Sequence, residues 1–149
     1  MSKRILLLNG PNLALLGTRE PAIYGTTTLA DIVAAVRTAA EARGWTLDAF
    51  QSDVEGELVH AICQARGKYD GIVINPAAYT HTSIAILDAL KAVSLPAVEV
   101  HLSDVSAREP FRQISYAGMA CEKTFMGLGF EGYRQAILYL AARYGEASR

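Results

Sequence analysis

Two polar clusters in this chain have the residue types and spacing to do chemistry. The first is the stretch NPAAYTHTSIAILD, residues 75–88, which crowds Asn75, Tyr79, Thr80, His81, Thr82 and Ser83 into one short segment after the apolar run of residues 71–74. The second is Glu99-Val100-His101-Leu102-Ser103, at the end of the next apolar run. Continuous Val/Ile runs read as parallel strands buried on both faces, and ligands of open α/β sheets bind just beyond the carboxyl ends of such strands. Two adjacent strand ends would then present Asn, two His, Glu and Ser to one crevice.

Glu99 and His101 are two apart, so on a strand both side chains leave the same face. A carboxylate beside an imidazole orients it and favours its charged form, as a general acid requires. A buried structural ion pair explains the same spacing equally well. His81, in its Thr/Ser/Tyr loop, could be a turn former, or could join His101 and Glu99 in a two-His-one-carboxylate metal site, although no helical ligand spacing supports that. His60, in the middle of a helical pattern, reads as solvated.

Tyr24 follows Arg19 by five positions in a connection of Gly- and Pro-rich character spanning residues 10–27, which also holds Asn12 and Glu20. A phenol titrates near pH 10, so a tyrosine base needs cations nearby, and Arg19, Arg108 and Arg112 are available. An aromatic that anchors the loop to the domain is the alternative. So long a connection from a strand end to a helix reads as a lid, assigned to about residues 17–26.

The elements that must position these groups alternate from end to end. Strands are expected at residues 5–8, 45–51, 72–75, 97–102 and 123–126. Helices are expected at 28–43, opened by a Thr28-x-x-Asp31 capping box and closed by Gly44, at 52–67 with a Ser52-x-x-Glu55 start, at 83–93 and at 133–144. Right-handed crossovers then give a single α/β domain over residues 1–149: a flavodoxin-like, doubly wound, five-stranded parallel sheet.

With 149 residues and a formal charge of −1, the chain suits one domain and has no basic stripe for nucleic acid. Its apolar start is too short for a membrane span or signal peptide, so a cytoplasmic protein is expected. Cys63 and Cys121 are in no metal-ligand spacing and read as two small buried hydrophobes. Gly127-Leu-Gly-Phe-Glu-Gly132 matches G-x-G-x-x-G, but the chain has no following strand with a ribose-binding acid, so these glycines read as a tight strand-to-helix turn.

Taken together, Asn9-Gly-Pro-Asn-Leu13, Gly17-Thr-Arg-Glu-Pro21 with Tyr24-Gly25, Gln51-Ser52, Asn75-Pro76 with Thr80-His-Thr-Ser83, Glu99-Val-His-Leu-Ser103 and Ala107-Arg-Glu-Pro-Phe-Arg112 resemble type II 3-dehydroquinate dehydratase over nearly the whole chain. The resemblance implies the flavodoxin-like fold, a cofactor-free, reversible anti elimination of water from 3-dehydroquinate through an enolate, and a homo-dodecamer built from trimers. It further implies that Tyr24 is the base, Arg19 the lid residue that lowers its pKa, and Asn12 the holder of a water on the enolate oxygen. His101, oriented by Glu99, becomes the acid. Asn75, His81, Leu102, Ser103 and Arg112 become the substrate-binding set, and Asp88 reaches into a neighbouring subunit's site. The chain departs from the family's frequent residues at Leu87, Asp104, Ser106 and Gln113-Ile114. No lysine falls in a motif, which disfavours a Schiff base. Rival readings are a flavodoxin-like flavin- or nucleotide-binding module and a receiver module, the latter opposed by Asn9 and Asn12 where an acidic phosphate acceptor would stand.

Overall fold

The computed structural model describes residues 2–18, 22 and 25–145. Five strands, β1 (Lys3–Asn9), β2 (Trp45–Gln51), β3 (Gly71–Asn75), β4 (Ala97–His101) and β5 (Lys123–Met126), form one parallel sheet in the order β2-β1-β3-β4-β5. This is the flavodoxin-like order expected as the simplest for the β/α alternation. Register places Asn9 opposite Gln51 on one side and opposite Asn75 on the other, so three polar side chains end neighbouring strands at one level.

Among the described residues the connections are helices α1 (Leu29–Glu41), α2 (Glu55–Gln64), α3 (Ile84–Val93) and α4 (Glu131–Leu140). Strand alternation divides the core into two layers. Ile5, Leu7, Val73, Val98 and Val100 point to the face covered by α1 and α4, through Ile32, Val36, Ala40, Ala136, Ile137 and Leu140. Leu6, Leu8, Ile72 and Ile74 point to the opposite face, covered by α2 and α3 through Leu58, Ile62, Ile86, Ala89, Leu90 and Val93. Each of these fully buried Leu or Ile side chains contributes about 1.5–3 kcal/mol of transfer free energy.

Local signals explain most boundaries. The Thr28 amide donates to Asp31 Oδ2 at 3.0 Å and the Asp31 amide to Thr28 Oγ1 at 3.1 Å, so the capping box forms as spaced. Hydrogen bonding to the carboxyl from Thr28, by its backbone amide foremost and then by its side chain, holds Asp31 below its ordinary pKa. Gly44 adopts φ +77°, which ends the α1 connection in the left-handed region that only glycine enters freely.

Four expectations are corrected. The second helix begins at Glu55 rather than Ser52, because Ser52 Oγ accepts the Val54 amide at 2.9 Å and also bonds the Glu57 carboxylate, making a turn ahead of the helix. The last helix begins at Glu131 and passes into a π-helical turn over Ala141–Gly145. The Gly10-to-Thr27 connection has structure of its own, a 3-10 turn at Leu13–Leu15. Finally, Cys63 is exposed on the outer side of α2 rather than in the core, whereas Cys121 is partly buried and packs against the second core layer. At Gly127 and Gly129 the backbone takes φ +75° and +59°, the tight turn read from the sequence. No described helix is long and apolar enough to cross a membrane.

Candidate active site

A cleft of about 160 Å³ opens at the carboxyl ends of β1, β3 and β4. Its lining includes Asn12, Asn75, His81, His101, Leu102, Ser103, Arg108 and Arg112. Seven of the eleven site residues proposed from sequence therefore come together: Asn12, Asn75, His81, His101, Leu102, Ser103 and Arg112. Glu99 stands immediately behind them, buried under His101. Arg19 and Tyr24, with half of the expected lid, lie outside the described residues. Asp88 is exposed on α3 and does not line this chain's own cleft.

The Glu99–His101 pair is the electrostatic centre. Both side chains leave the same face of β4, and His101 Nε2 lies 2.7 Å from Glu99 Oε2 with each residue nearly inaccessible to solvent. Glu99 also accepts from Ser115 Oγ at 2.5 Å and Thr124 Oγ1 at 2.7 Å. Burial pushes the Glu99 pKa up, but the bonds from His101, Ser115 and Thr124 outweigh it and the net direction is down. An ionised Glu99 can only accept, so His101 carries its proton on Nε2 and leaves Nδ1 as its second nitrogen. An imidazolium in this setting can donate from Nδ1 while the carboxylate stabilises its charge. Ser115 is fixed in turn by the Gly118 amide at 2.9 Å, and a methyl at Gly118 would stand 2.7 Å from Glu99 Oε1.

On the β1 side, Asn12 has φ +68°, a left-handed conformation that asparagine tolerates better than most residues. Its amide donates to Asp53 Oδ1 at 2.9 Å, and Gln51 Nε2 ties the same carboxylate at 3.1 Å to the β1 end through the Gly10 carbonyl. Asp53 and Gln51 thus shape the turn that brings Asn12 to the cleft.

The β3 loop divides its polar residues by task. Asn75 and His81 face the cleft, whereas Tyr79 donates to the Asp53 carbonyl at 2.7 Å and Ser83 caps α3 by accepting the Ile86 amide at 2.9 Å. His81 Nδ1 meets the Ile114 carbonyl at 2.8 Å; since a carbonyl only accepts, Nδ1 is protonated and Nε2 is the second nitrogen. Among the described residues no three His, Cys, Asp or Glu groups are placed to hold a metal ion, so His81 does not combine with the Glu99–His101 pair as a ligand set.

The loop after β4 brings the positive charge. Arg112 pairs with Glu109 at 2.8 Å and covers the Phe111 ring at 5.0 Å, and Arg108 lies 3.8 Å from the same carboxylate. Gln113 Nε2 approaches the carbonyls of Val105, Arg108 and Glu109 at 3.1, 3.2 and 3.2 Å, pinning the segment that carries both arginines. Sequence reasoning did not assign Ser115, Thr124, Gln113 or Asp53 to the site. Ser115 and Thr124 lie far along the chain from Glu99 and carry no spacing signal.

The geometry agrees with what known proteins resemble. A family model described as dehydroquinase class II matches residues 3–141. The catabolic 3-dehydroquinase 1 of Aspergillus terreus is 55% identical over 149 residues, covering 100% of this chain and 98% of that protein. A crystal structure of type II dehydroquinase from Butyrivibrio crossotus, 42% identical, has a TM-score of 0.90 and covers 93% of this chain and 97% of its own. Its counterpart from Propionibacterium acnes is 45% identical, with a TM-score of 0.90 over 95% of this chain and 98% of that one.

Proposed function

Since the chain belongs to the class II dehydroquinase family, we infer that it dehydrates 3-dehydroquinate to 3-dehydroshikimate, reversibly and by anti elimination. The observation that carries this reading is the buried His101–Glu99 pair facing a cleft that also holds Asn12, Asn75 and two arginines.

The substrate is a β-hydroxy ketone with a carboxylate. Tyr24, as phenolate, takes the proton α to the carbonyl, and the electron pair moves onto the carbonyl oxygen as an enolate. Arg19 stabilises that phenolate by its positive charge. Asn12 holds a water that hydrogen-bonds the enolate oxygen. As the enolate collapses, the carbon–oxygen bond breaks and His101 gives its Nδ1 proton to the leaving hydroxyl, which departs as water. Glu99 keeps the imidazole oriented through its bond to Nε2. Arg112 binds the substrate with Asn75, His81, Ser103 and the Leu102 backbone. Every proton is handled by a side chain, so the step requires neither a metal nor an imine.

Asp88, exposed on α3 beside the 54%-exposed Ile84, completes the site of a neighbouring subunit in a dodecamer of trimers. Ile86, Ala89, Leu90 and Val93 already cover the sheet, which leaves the face of α3 that carries Ile84 and Asp88 available for a partner. The protein works in the cytoplasm. The fungal relatives' names call them catabolic, which favours quinate breakdown over aromatic biosynthesis as the setting. The test is direct: purified protein mixed with 3-dehydroquinate should show rising ultraviolet absorbance from the conjugated enone. A flat trace with folded oligomer would refute the reading, and visible absorbance from a bound flavin would support the electron-carrier alternative.

A further inference from the structure

Among the described residues Tyr133 is, after Trp45, the largest fully buried side chain, and the elimination chemistry gives it no task. It lies in the first turn of α4 and sends its phenol under the carboxyl ends of β1 and β3. There its hydroxyl accepts from Asn75 Nδ2 at 2.9 Å and donates to Asn9 Oδ1 at 2.6 Å. Asn75 Oδ1 accepts the Ala77 amide at 3.1 Å.

The polarity of this chain of bonds is set at one end. A backbone N–H can only donate, so the Asn75 oxygen must face Ala77 and its amino group must face Tyr133. The phenol therefore accepts from Asn75 and has its own proton left for Asn9. Ala77 needs the help: it holds φ +52°, a left-handed conformation that costs a non-glycine residue energy. Asn75, Ala77 and Ala78 all line the cleft, and a side chain at Gly10 would overlap the Pro76 carbonyl, so the backbones of the two strand ends leave little slack. Asn9 Nδ2 has no hydrogen-bond partner among the described residues, which leaves the phenol as the recorded side-chain bond of that amide.

We propose that Tyr133 is a positioning residue for substrate binding: its hydroxyl locks the Asn75 amide onto the Ala77 backbone and so fixes the cleft wall formed by Asn75, Ala77 and Ala78. The inference rests on the reading of Asn75 as a substrate-binding residue. Without the hydroxyl, the Asn75 amino group is buried and unpaired, and the side chain gains by rotating toward water in the cleft. It then gives up Ala77 and stands where substrate should sit.

The experiment compares Tyr133→Phe, Asn75→Ala and the double variant with the native enzyme, measuring KM and kcat for 3-dehydroquinate and the melting temperature of each. Tyr133→Phe should raise KM about 10-fold, the worth of one hydrogen bond to a buried polar group, and change kcat by less than about threefold. The double variant should match Asn75→Ala, because the phenol acts through that amide. A lowered melting temperature with unchanged KM would mean a structural role only and would overturn the proposal, as would additive effects on KM. If Asn75→Ala itself leaves KM unchanged, the substrate-binding role of Asn75 fails and takes the proposal with it; if only Tyr133→Phe is silent, the proposal alone fails. Should Tyr133→Phe not fold, Asn9→Ala removes the acceptor of the phenol proton, leaves that hydroxyl buried with its donor unpaired and so loosens its hold on Asn75; KM must rise as well, and an unchanged KM there rejects the proposal.

Discussion

Replacing Glu99 by Gln separates charge from shape at the centre of the site. Two donors, His101 Nε2 and Ser115 Oγ, converge on Glu99 Oε2, and one, Thr124 Oγ1, meets Oε1. A glutamine therefore has a clear orientation: its oxygen takes the Oε2 position, and its amino group faces Thr124, whose hydroxyl can turn to accept. The fold should survive while the charge goes. A hydrogen bond to a charged group is worth about 1.5–3 kcal/mol and a neutral one about 0.5–1.5, so the imidazolium loses roughly 1–2 kcal/mol of stabilisation. A loss of that size in the transition state corresponds to a kcat roughly 10-fold lower. Stability gives a second readout. The folded-state pKa of Glu99 is depressed, so its contribution is fully present above the unfolded value of about 4.3 and is lost as pH falls through the folded value. Glu99→Gln should flatten that acid limb in thermal melts. Enone formation followed from pH 5 to 9 is the assay. A Glu99→Gln profile that overlays the native one at every pH would refute the claim that this carboxylate supports His101 as the acid.

Other perturbations test other parts of the site. Tyr24→Phe and His101→Ala should each lower kcat by at least about 100-fold, with substrate binding by calorimetry largely retained; near-normal turnover in either would remove that residue from proton transfer. Gly118→Ala puts a methyl 2.7 Å from Glu99 Oε1 and 2.8 Å from Ser115 Oγ, so it should cost about 1–3 kcal/mol in chemical denaturation and lower kcat as well. Asp88→Ala should change stability by less than about 0.5 kcal/mol yet weaken substrate binding, and mixing it with Tyr24→Phe subunits should recover activity in hybrid oligomers. An active monomer by light scattering would defeat the shared site.

The topology was legible because the β/α alternation left few choices. The three inner strands β1, β3 and β4 announced themselves as aliphatic stretches, and the residues ending them had to meet at one edge. Glu99 and His101 could be paired from a spacing of two, since a strand repeats every second residue. Asn75 and His81 could be placed at the cleft for the same reason. The polar neighbours of His81 could not be sorted, because whether Tyr79 or Ser83 faces a cleft or caps a helix depends on where Asp53 and α3 lie. Ser52 misled by mimicking a capping box, while its actual partner is Glu57, two positions beyond the acid that spacing suggested. Ser115 and Thr124 are hydroxyl residues of no special pattern, and only the fold brings them to Glu99. Cys63 was read from the general habit of free cysteines and stands instead on the outer face of α2. Arg19 and Tyr24 keep the roles that family resemblance gives them, as proposals.

The central claim is that side chains of this protein alone carry the elimination, with His101 as acid and no metal or imine in the path. One set of progress curves tests it. The enzyme is assayed on 3-dehydroquinate untreated, after exhaustive chelation, and after incubation with substrate plus borohydride followed by dialysis. The account predicts three superimposable curves. Loss of activity after chelation would point to a metal among His81, His101 and Glu99, loss after borohydride would point to a lysine imine, and either result would contradict the mechanism.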